Sequence, residues 1–316
     1  MTDHISVIMS VKNGEKYLTR AAKSILNQTF KNFEFIIVNN DSIDDTQLIL
    51  ENLAKEDSRI KIINNSNNEN PSQGRMTGIK NAKYEWIALM DADDECHPER
   101  LEKQVNFIVN TEIKNLGVIS TYGKYINSQN KVIANFYSGP INIKEFKNLH
   151  LNNDGYGILD PSSIIKKDVF LNVGGYLNQT FAYDLDLYYK IAESGYVIQS
   201  INLPLYFYRV HAGSYSVKHS MKQREVTHFI NFNMRQRRNG KKEISDEEFN
   251  KKFWKRLYYR FPRQIHDLAM TNYKISGYSF MEKKIIRFLF FLVLSFMLSP
   301  RYVFKKLFVQ FIKKNV

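Results

Sequence analysis

The sequence predicts an α/β protein built on a largely parallel sheet, followed by a separate basic helical region. Short apolar runs of strand length recur over the first hundred residues, and segments with helical apolar periodicity lie between them. Strands joined by crossover helices form parallel sheets whose two faces are covered by helices. Charge divides the chain, because residues 1–210 carry 22 Lys and Arg against 25 Asp and Glu, whereas residues 211–316 carry 23 against 7.

The same patterns assign the elements in order. In the first part, strands are predicted at Ile5–Val11, Phe33–Val38, Arg59–Ile63 and Trp86–Met90, with helices at 17–26, Asp44–Lys55 and Gly74–Ala82. Further strands are predicted at Val118–Tyr122, Lys131–Tyr137, Pro161–Ile165 and Tyr196–Ile201, with helical segments at Asp168–Val173 and Asp184–Ser194. No Pro/Gly/Ser-rich linker interrupts this series, so we expect one domain over residues 1–220 and a helical region over residues 221–316.

Composition limits the classes of protein that the chain can belong to. A single cysteine, Cys96, excludes an intramolecular disulfide and fits a reducing compartment. Residues 1–4 lead directly into a strand-like run, so we expect no signal peptide. No apolar run reaches the roughly 18–20 residues of a membrane span.

The C-terminal region combines positive charge with two apolar segments. Phe288–Leu298 is apolar but short, and apolar residues recur at helical spacing over 303–312 with lysines at other positions. This pattern is typical of amphipathic helices that lie in a membrane interface, although helices packed on the main domain are the alternative. Because Phe- and Leu-rich segments suit lipid better than phosphodiester grooves, we expect an anionic membrane surface as partner and no nucleic acid.

An acidic cluster follows the predicted strand Trp86–Met90. Asp91, Asp93 and Asp94 come directly after it, and Pro98 predicts that a helix begins nearby. Carboxylates at the carboxyl end of a buried strand repel each other, and a divalent cation that bridges to phosphate oxygens would compensate them. The alternative is a solvated acidic turn that caps the next helix.

Six segments, taken in order, resemble the family 2 glycosyltransferases of the GT-A fold over roughly residues 4–216. They are Ile5–Phe30, Phe35–Asp45, Gly74–Gly78, Asp91–Asp93, Gly174–Tyr176 with Tyr183–Leu187, and Arg209–His211 with Ser214 and Ser216. The resemblance implies a GT-A mixed sheet with helices on both faces. It also implies an inverting enzyme that moves a hexose from a nucleotide-diphosphate sugar, with Mn²⁺ or Mg²⁺ as cofactor.

The resemblance also assigns roles to residues. The nucleotide would be bound by Ser10, Val11, Lys12, Asn40, Arg75, Asp91 and Ala92. Asp93 and His211 would hold the metal, with Arg209 in a basic motif that closes on the pyrophosphate. Asp184 would be the catalytic base, and Gly175, Asp160 and Asp186 would lie on the acceptor side. One base acting in a single displacement inverts the anomeric configuration.

Three positions depart from the pattern of that family. Asn40 replaces an acidic residue of the base-reading loop, although an amide can still pair with uracil. Lys12 stands where an aromatic residue often covers the base. Tyr183 replaces the acidic residue that usually precedes the catalytic aspartate, so the surroundings of Asp184 are expected to be less negative.

We therefore expect a glycosyltransferase that uses a UDP-hexose and a lipid-linked, lipopolysaccharide- or capsule-type saccharide acceptor. It would lie peripherally on the cytoplasmic face of a bacterial inner membrane. A sugar-nucleotide nucleotidyltransferase is an alternative, but the segment Lys12–Gly14 is short and poor in glycine for its phosphate loop. A non-catalytic protein that binds membranes or nucleic acid is another, and it leaves Asp91, Asp93 and Asp184 without a purpose.

Overall fold

The computed structural model describes residues 4–66, 70–178, 180–210, 220–254, 257–281 and 284–304. The chain forms two compact units, Met1–Arg209 and Val210–Val316. The predicted metal ligand His211, together with Ser214 and Ser216, lies outside the described residues, and so do residues 305–312 of the last predicted amphipathic helix.

The first unit begins with four parallel strands joined by helices. The strands are β1 (Ile5–Val11), β2 (Phe33–Asn40), β3 (Ile60–Asn65) and β4 (Trp86–Asp91). The intervening helices are α1 (Leu18–Leu26), α2 (Thr46–Glu56) and α3 (Pro71–Lys80). β1 lies between β2 and β4, and both pairings are parallel. Every residue of β2 is buried, as expected for a strand covered on both faces, and the predicted α/β alternation is confirmed.

The sheet continues with strands of mixed direction. Its order is β3-β2-β1-β4-β8-β6-β9-β5, and β7 pairs with β6 outside this path. These strands are β5 (Glu95–Cys96), β6 (Leu116–Ile126), β7 (Val132–Phe136), β8 (Ile164–Lys166) and β9 (Val197–Arg209). β8 runs antiparallel to β4 and β6, whereas β6 and β9 run parallel. The predicted mixed α/β sheet of GT-A type is therefore confirmed.

The helices of the second half are α4 (Arg100–Asn110), α5 (Ile143–Leu151), α6 (Lys167–Asn172) and α7 (Tyr183–Glu193). Three assignments from the sequence were wrong or incomplete here. The predicted strand Pro161–Ile165 is a 3₁₀ turn, Asp160–Ser162, followed by β8, because Pro161 lacks the N–H that a ladder needs. The sequence pattern did not predict α5, which buries only Phe146. β9 extends eight residues beyond the predicted Ile201.

The second unit is helical, as the sequence predicted. It contains α8 (Ser220–Arg238), α9 (Asp246–Phe249), a π-helical turn (Asn250–Trp254), α10 (Leu257–Met281) and α11 (Ile285–Leu298). Aromatic rings of α8, α9 and the π turn pack together, with the Phe249 centroid 5.5 Å from that of Phe232. α11 packs on α10, where the Ser295 hydroxyl donates to the Ala269 carbonyl at 2.6 Å. None of the described helices is both long and apolar enough to cross a bilayer.

Candidate active site

The predicted acidic motif lies at the carboxyl end of β4, where the sheet opens. Asp91 is the last residue of β4, and β5 begins four residues later at Glu95. One carboxylate oxygen from each of Asp91, Asp93 and Asp94 lies within 4.8 Å of the others. Three carboxylates at this distance repel each other strongly unless a cation or a proton compensates them.

Asp94 is the most buried member of this group, which the sequence analysis predicted to be compensated by a cation, with an individual metal or nucleotide role only for Asp91 and Asp93. Its Oδ1 accepts a hydrogen bond from the backbone N–H of Arg209 at 2.7 Å. Its Oδ2 is buried, and no described donor reaches it with normal hydrogen-bond geometry. Burial raises the pKa of Asp94 well above its usual value, and the charges of Asp93 and Asp91 raise it further. The Arg209 N–H and the Tyr206 hydroxyl oppose this rise.

Arg209, at the end of β9, supports the acidic loop. Its Nε donates to the Asp93 carbonyl at 2.6 Å, and its Nη2 pairs with Glu95 at 2.5 Å. The guanidinium also lies over the Tyr17 ring, 4.6 Å from the centroid. The sequence analysis placed Arg209 in a motif that binds pyrophosphate. In the structure the side chain is buried and its donors bind protein groups, and the role of the motif toward a pyrophosphate stays a prediction.

Arg75, on α3, joins the acidic motif to the predicted acceptor side. Only 4% of the residue is exposed. Nη2 pairs with Asp91, and Nη1 pairs with Asp160. The sequence analysis expected this guanidinium to bind phosphate as a bidentate fork. In the structure both ends of the fork contact carboxylates instead, so Arg75 compensates two acidic groups that would otherwise be uncompensated.

Asp160 lies in the 3₁₀ turn and is fully enclosed by donors. The Tyr176 hydroxyl is 3.0 Å from both of its oxygens, and the Tyr188 hydroxyl donates to Oδ1 at 2.7 Å. Burial raises the pKa of both tyrosines, and the charge of Asp160 raises it further, so both phenols stay protonated donors. Together with Arg75 they provide the Asp160 carboxyl group with hydrogen-bond donors in a buried position.

The predicted base, Asp184, lies in the first turn of α7. Asp184 and Tyr188 are four residues apart and therefore share one face of this helix. Burial raises the pKa of Asp184 to about 7, and the neighbouring Asp160 contributes to the rise. Arg75 and backbone N–H groups oppose it. The ring of Tyr183 is 6.0 Å from the Arg75 guanidinium. The structure therefore brings predicted donor-side and acceptor-side residues together around Arg75.

The predicted nucleotide-binding residues of β1 and β2 meet the start of α3. Nδ2 of Asn40 donates to the Ser10 hydroxyl at 2.8 Å, and Asn65 donates to Oδ1 of Asn40 at 3.1 Å. A Cβ on Gly74 would lie 2.1 Å from the Asn40 amide nitrogen. Asn40 was predicted to read the base, but its amide is buried and bonded to protein groups. These contacts order the ends of β1, β2 and β3, and the base-reading role of Asn40 stays a prediction.

The loop that contains Lys12 is tied to the loop after β2. The backbone N–H of Asn13 donates to Ser42, and that of Gly14 donates to Thr46 at 2.8 Å. Val11 is buried, whereas Lys12 is exposed at the mouth of these loops. Ala92 lies within the acidic loop and is partly exposed.

Two residues that were predicted to lie on the acceptor side, Gly175 and Asp186, contact other groups of the protein. Gly175 has a φ of +65° at the end of α6, and a Cβ there would lie 2.6 Å from Met76. Asp186 is buried and pairs with Lys190 at 2.7 Å, one helical turn away. Asp186 was predicted to face the acceptor. It lies on a different face of α7 from Asp184, as two residues along a helix require, and its acceptor-side role stays a prediction.

Sequence reasoning did not predict the contacts that Asp94, Tyr188 and Arg209 make in the structure. Tyr188 could have been found from its four-residue spacing to Asp184. The contacts of Asp94 and Arg209 join segments 115 residues apart, and no local pattern indicates them.

Comparison with protein families and curated relatives gives consistent results. The family described as glycosyl transferase family 2 matches residues 6–173. An Escherichia coli O-antigen biosynthesis glycosyltransferase, WbnJ, is 30% identical over 72% of this chain and 93% of its own. The E. coli UDP-Glc:alpha-D-GlcNAc-diphosphoundecaprenol beta-1,3-glucosyltransferase WfaP is 30% identical over 67% of this chain and 79% of its own. An uncharacterised Haemophilus influenzae glycosyltransferase is 34% identical, but the match covers 38% of this chain and only 46% of that protein.

Solved structures share the fold at low sequence identity. S. aureus TarS 1–349 in complex with UDP-GlcNAc has a TM-score of 0.58 and 17% identity, over 90% of this chain and 89% of its own. The Pyrobaculum calidifontis mannosyltransferase PcManGT, in complex with GDP-Man and Mn²⁺, has a TM-score of 0.54 and 16% identity. That match covers 74% of this chain and 64% of the mannosyltransferase.

Proposed function

The chain belongs to glycosyl transferase family 2, and we propose that it is an inverting hexosyltransferase that uses a UDP-sugar and a lipid-linked saccharide acceptor. The observation that carries the proposal is the bridge of Arg75 between Asp91 and Asp160. The bridge supports the proposal because Asp91 belongs to the carboxylate cluster, whereas the charge of Asp160 helps to raise the pKa of Asp184 to about 7.

The acidic loop fits a divalent cation. Its carboxylates are the hard oxygen ligands that Mn²⁺ and Mg²⁺ prefer, and the buried Oδ2 of Asp94 lacks a donor among the described residues. Asp93 would hold the ion, with Asp91 and Asp94 beside it and His211 as a further proposed ligand. When bound, the ion would neutralise the charge that develops on the leaving diphosphate.

Asp184 would act on the acceptor. The acceptor oxygen forms its bond to the anomeric carbon as the bond from that carbon to the diphosphate oxygen breaks. The hydroxyl proton passes to the Asp184 carboxylate, and the diphosphate leaves with the electron pair. A base with a pKa of about 7 is largely ionised just above neutral pH and still basic enough to accept that proton. Attack opposite the leaving group inverts the anomeric configuration.

The names of the relatives support the choice of substrates. WfaP is named for a UDP-glucose donor and a diphosphoundecaprenol-linked acceptor, and TarS was solved with UDP-GlcNAc. WbnJ is named for O-antigen biosynthesis. We extend these properties to this chain as a UDP-hexose donor and a polysaccharide precursor on a lipid carrier.

The second unit supports peripheral binding to the cytoplasmic face of the inner membrane. Residues 211–316 have 16 more basic than acidic residues. Four side chains of α11 at helical spacing form an exposed apolar stripe: Ile286, Phe290, Val293 and Met297. At 14 residues α11 is about 21 Å long, which suits an orientation in the plane of the membrane better than a span.

The first experiment measures hydrolysis of a panel of nucleotide sugars by the full chain with Mn²⁺. Turnover of one UDP-hexose, lost in excess EDTA, is expected. Asp93→Ala should abolish turnover and weaken Mn²⁺-dependent UDP binding, while circular dichroism shows an intact fold. Asp168→Ala, at an exposed position of α6, is the matched control and should behave like the wild type. Full activity in EDTA, or in Asp93→Ala, would contradict the metal assignment.

A further inference from the structure

Tyr137 is an exposed aromatic residue directly after β7. Its side chain is 70% exposed, and no other Phe, Tyr or Trp among the described residues of the first unit is exposed to this extent. Its ring meets that of Tyr122 edge to face, with centroids 5.0 Å apart and planes at 88°. Tyr122 is itself buried, so it holds the Tyr137 ring in place while at least one face of that ring is open to solvent.

Two sets of hydrogen bonds place this pair beside the turn that carries Asp160. The Ser138 hydroxyl donates to the Gly157 carbonyl at 3.0 Å and accepts from the backbone N–H of Leu159 at 2.6 Å. Leu159 directly precedes Asp160. Tyr137 is therefore one residue from a side chain that fixes the segment before the 3₁₀ turn.

The second set comes from β6. The hydroxyls of Ser120 and Ser162 are 2.7 Å apart, and Ser162 is the last residue of the 3₁₀ turn. Tyr122 lies two residues beyond Ser120 on β6, about 7 Å further along the strand. Tyr137 and Tyr122 thus lie at the edge of the region occupied by Asp160.

We propose that Tyr137, supported by Tyr122, is a stacking platform for a sugar ring of the acceptor. The inference rests on the proposed function in that the acceptor is a saccharide. A pyranose ring has an apolar C–H face and a hydroxyl rim, and a tyrosine offers a large rigid surface at low conformational-entropy cost. A sugar stacked on Tyr137 would lie beside the segment that leads into the 3₁₀ turn, on the predicted acceptor side of the site.

Binding is tested first, without a donor. Saturation-transfer NMR would be recorded on the full chain with a panel of methyl hexopyranosides and N-acetylhexosaminides. The C–H protons of at least one glycoside should receive saturation from the wild type and from Tyr137→Trp, but not from Tyr137→Ala. Val132→Ala removes another exposed apolar side chain from β7 and should match the wild type. An equal signal in Tyr137→Ala, or no signal in the wild type, would overturn the inference.

Kinetics provide the second test. With a soluble glycoside acceptor, Tyr137→Ala should raise the acceptor KM about tenfold, whereas Tyr137→Trp should stay within about twofold of the wild type. Donor hydrolysis without acceptor should be unchanged in both variants. An unchanged acceptor KM in Tyr137→Ala would contradict the platform and leave the proposed function standing. Absence of hydrolysis of every nucleotide sugar by the wild type would instead contradict the proposed function.

Discussion

At the scale of single residues, Arg75 is the cation that pairs with the acidic groups of the site. Its sequence context indicated a phosphate ligand, yet the structure pairs it with Asp91 and Asp160. The sequence could predict that a buried cation lies near the acidic motif. It could not predict the second partner, because Asp160 is 85 residues away and reaches Arg75 only through the position of the 3₁₀ turn.

Replacing Arg75 should therefore reduce stability as well as activity. Arg75→Met leaves the buried Asp160 and the half-buried Asp91 without a cation and should lower the free energy of unfolding by about 3–5 kcal/mol. Lys23→Met breaks an exposed pair with Glu56 at 3.9 Å and should cost less than about 1 kcal/mol. Urea unfolding followed by circular dichroism measures both. A similar small loss in the two variants would mean that Arg75 is not needed to compensate the carboxylates.

Asp160 should raise the pKa of Asp184 through its negative charge. A carboxyl with a raised pKa binds its proton more tightly in the folded state, so its contribution to stability is lost as pH rises from about 4 to about 7. Asp184→Asn removes the ionisable group and with it this loss of stability. The melting temperature of the variant, relative to that of the wild type, should therefore rise with pH from about 4 to about 7. The same comparison can be made between Asp160→Asn and the double variant Asp160→Asn, Asp184→Asn. The pH at which the rise in relative melting temperature ends should then be about one unit lower.

This comparison needs no substrate and uses melting temperature alone. Tyr188→Phe is the control, because it removes a hydrogen bond to Asp160 and keeps the charge. It should not move the end of the rise to lower pH. If Asp160→Asn leaves the pH window unchanged, the two carboxylates are not coupled.

At the scale of secondary-structure elements, two glycines determine how closely α3 packs against the sheet. A Cβ on Gly74 would lie 2.5 Å from the Ser10 hydroxyl, and one on Gly78 would lie 2.6 Å from Ile8. The helix can therefore approach β1 closely, and this approach brings Arg75, the next residue along, to the end of β4. The position of the site thus depends on two residues that have no side chain.

Gly74→Ala should push α3 away from the sheet. The overpacking should cost about 1–3 kcal/mol of stability and weaken nucleotide binding. Gly277→Ala, inside α10, is the matched control, because a Cβ there meets no atom within 4 Å. It should stabilise its helix by about 0.5–1 kcal/mol. Thermal unfolding and UDP titration of both variants measure the effects, and wild-type stability and affinity in Gly74→Ala would contradict this account of α3.

Elements with strong periodicity were predictable and those defined by long-range contacts were not. The spacing of Leu18, Ala21, Ala22 and Ile25 predicted α1, and all four side chains are buried. β5 has two residues and exists only because β9 pairs with it. The extension of β9 likewise depends on pairing with β6, since exposed residues such as Leu203 and Pro204 interrupt its apolar pattern. Local sequence carries no information about such pairings.

At the scale of the whole molecule, charge and exposed apolar surface are distributed differently between the two units. The near-neutral first unit contains the proposed active site, and the basic second unit contains the apolar stripe of α11. Ile286 is 88% exposed and Met297 is 74% exposed, although both are among the most apolar side chains. Exposed surface of this kind marks a binding face.

Substitution of the stripe should release the protein from membranes. The triple variant Ile286→Ser, Phe290→Ser, Val293→Ser should bind phosphatidylglycerol-containing vesicles at least about tenfold more weakly, since three buried apolar side chains are lost. The control replaces three exposed apolar residues of the first unit, Leu48, Val109 and Leu171, by serine. Vesicle flotation measures both. High salt should loosen the wild type only in part, because screening leaves the apolar contribution intact. Complete release by salt alone would contradict an apolar contribution to binding.

The most direct test of the account is the turnover of Asp184→Asn, measured beside Asp168→Asn as an exposed control in α6. With the identified donor and a soluble acceptor, kcat should fall by about 10²–10⁴-fold in Asp184→Asn, while the Kd for UDP stays near the wild-type value. The wild-type kcat should fall below a pH of about 7, where the base becomes protonated. Wild-type turnover in Asp184→Asn, or an equal loss in Asp168→Asn, would contradict the assignment of Asp184 as the base.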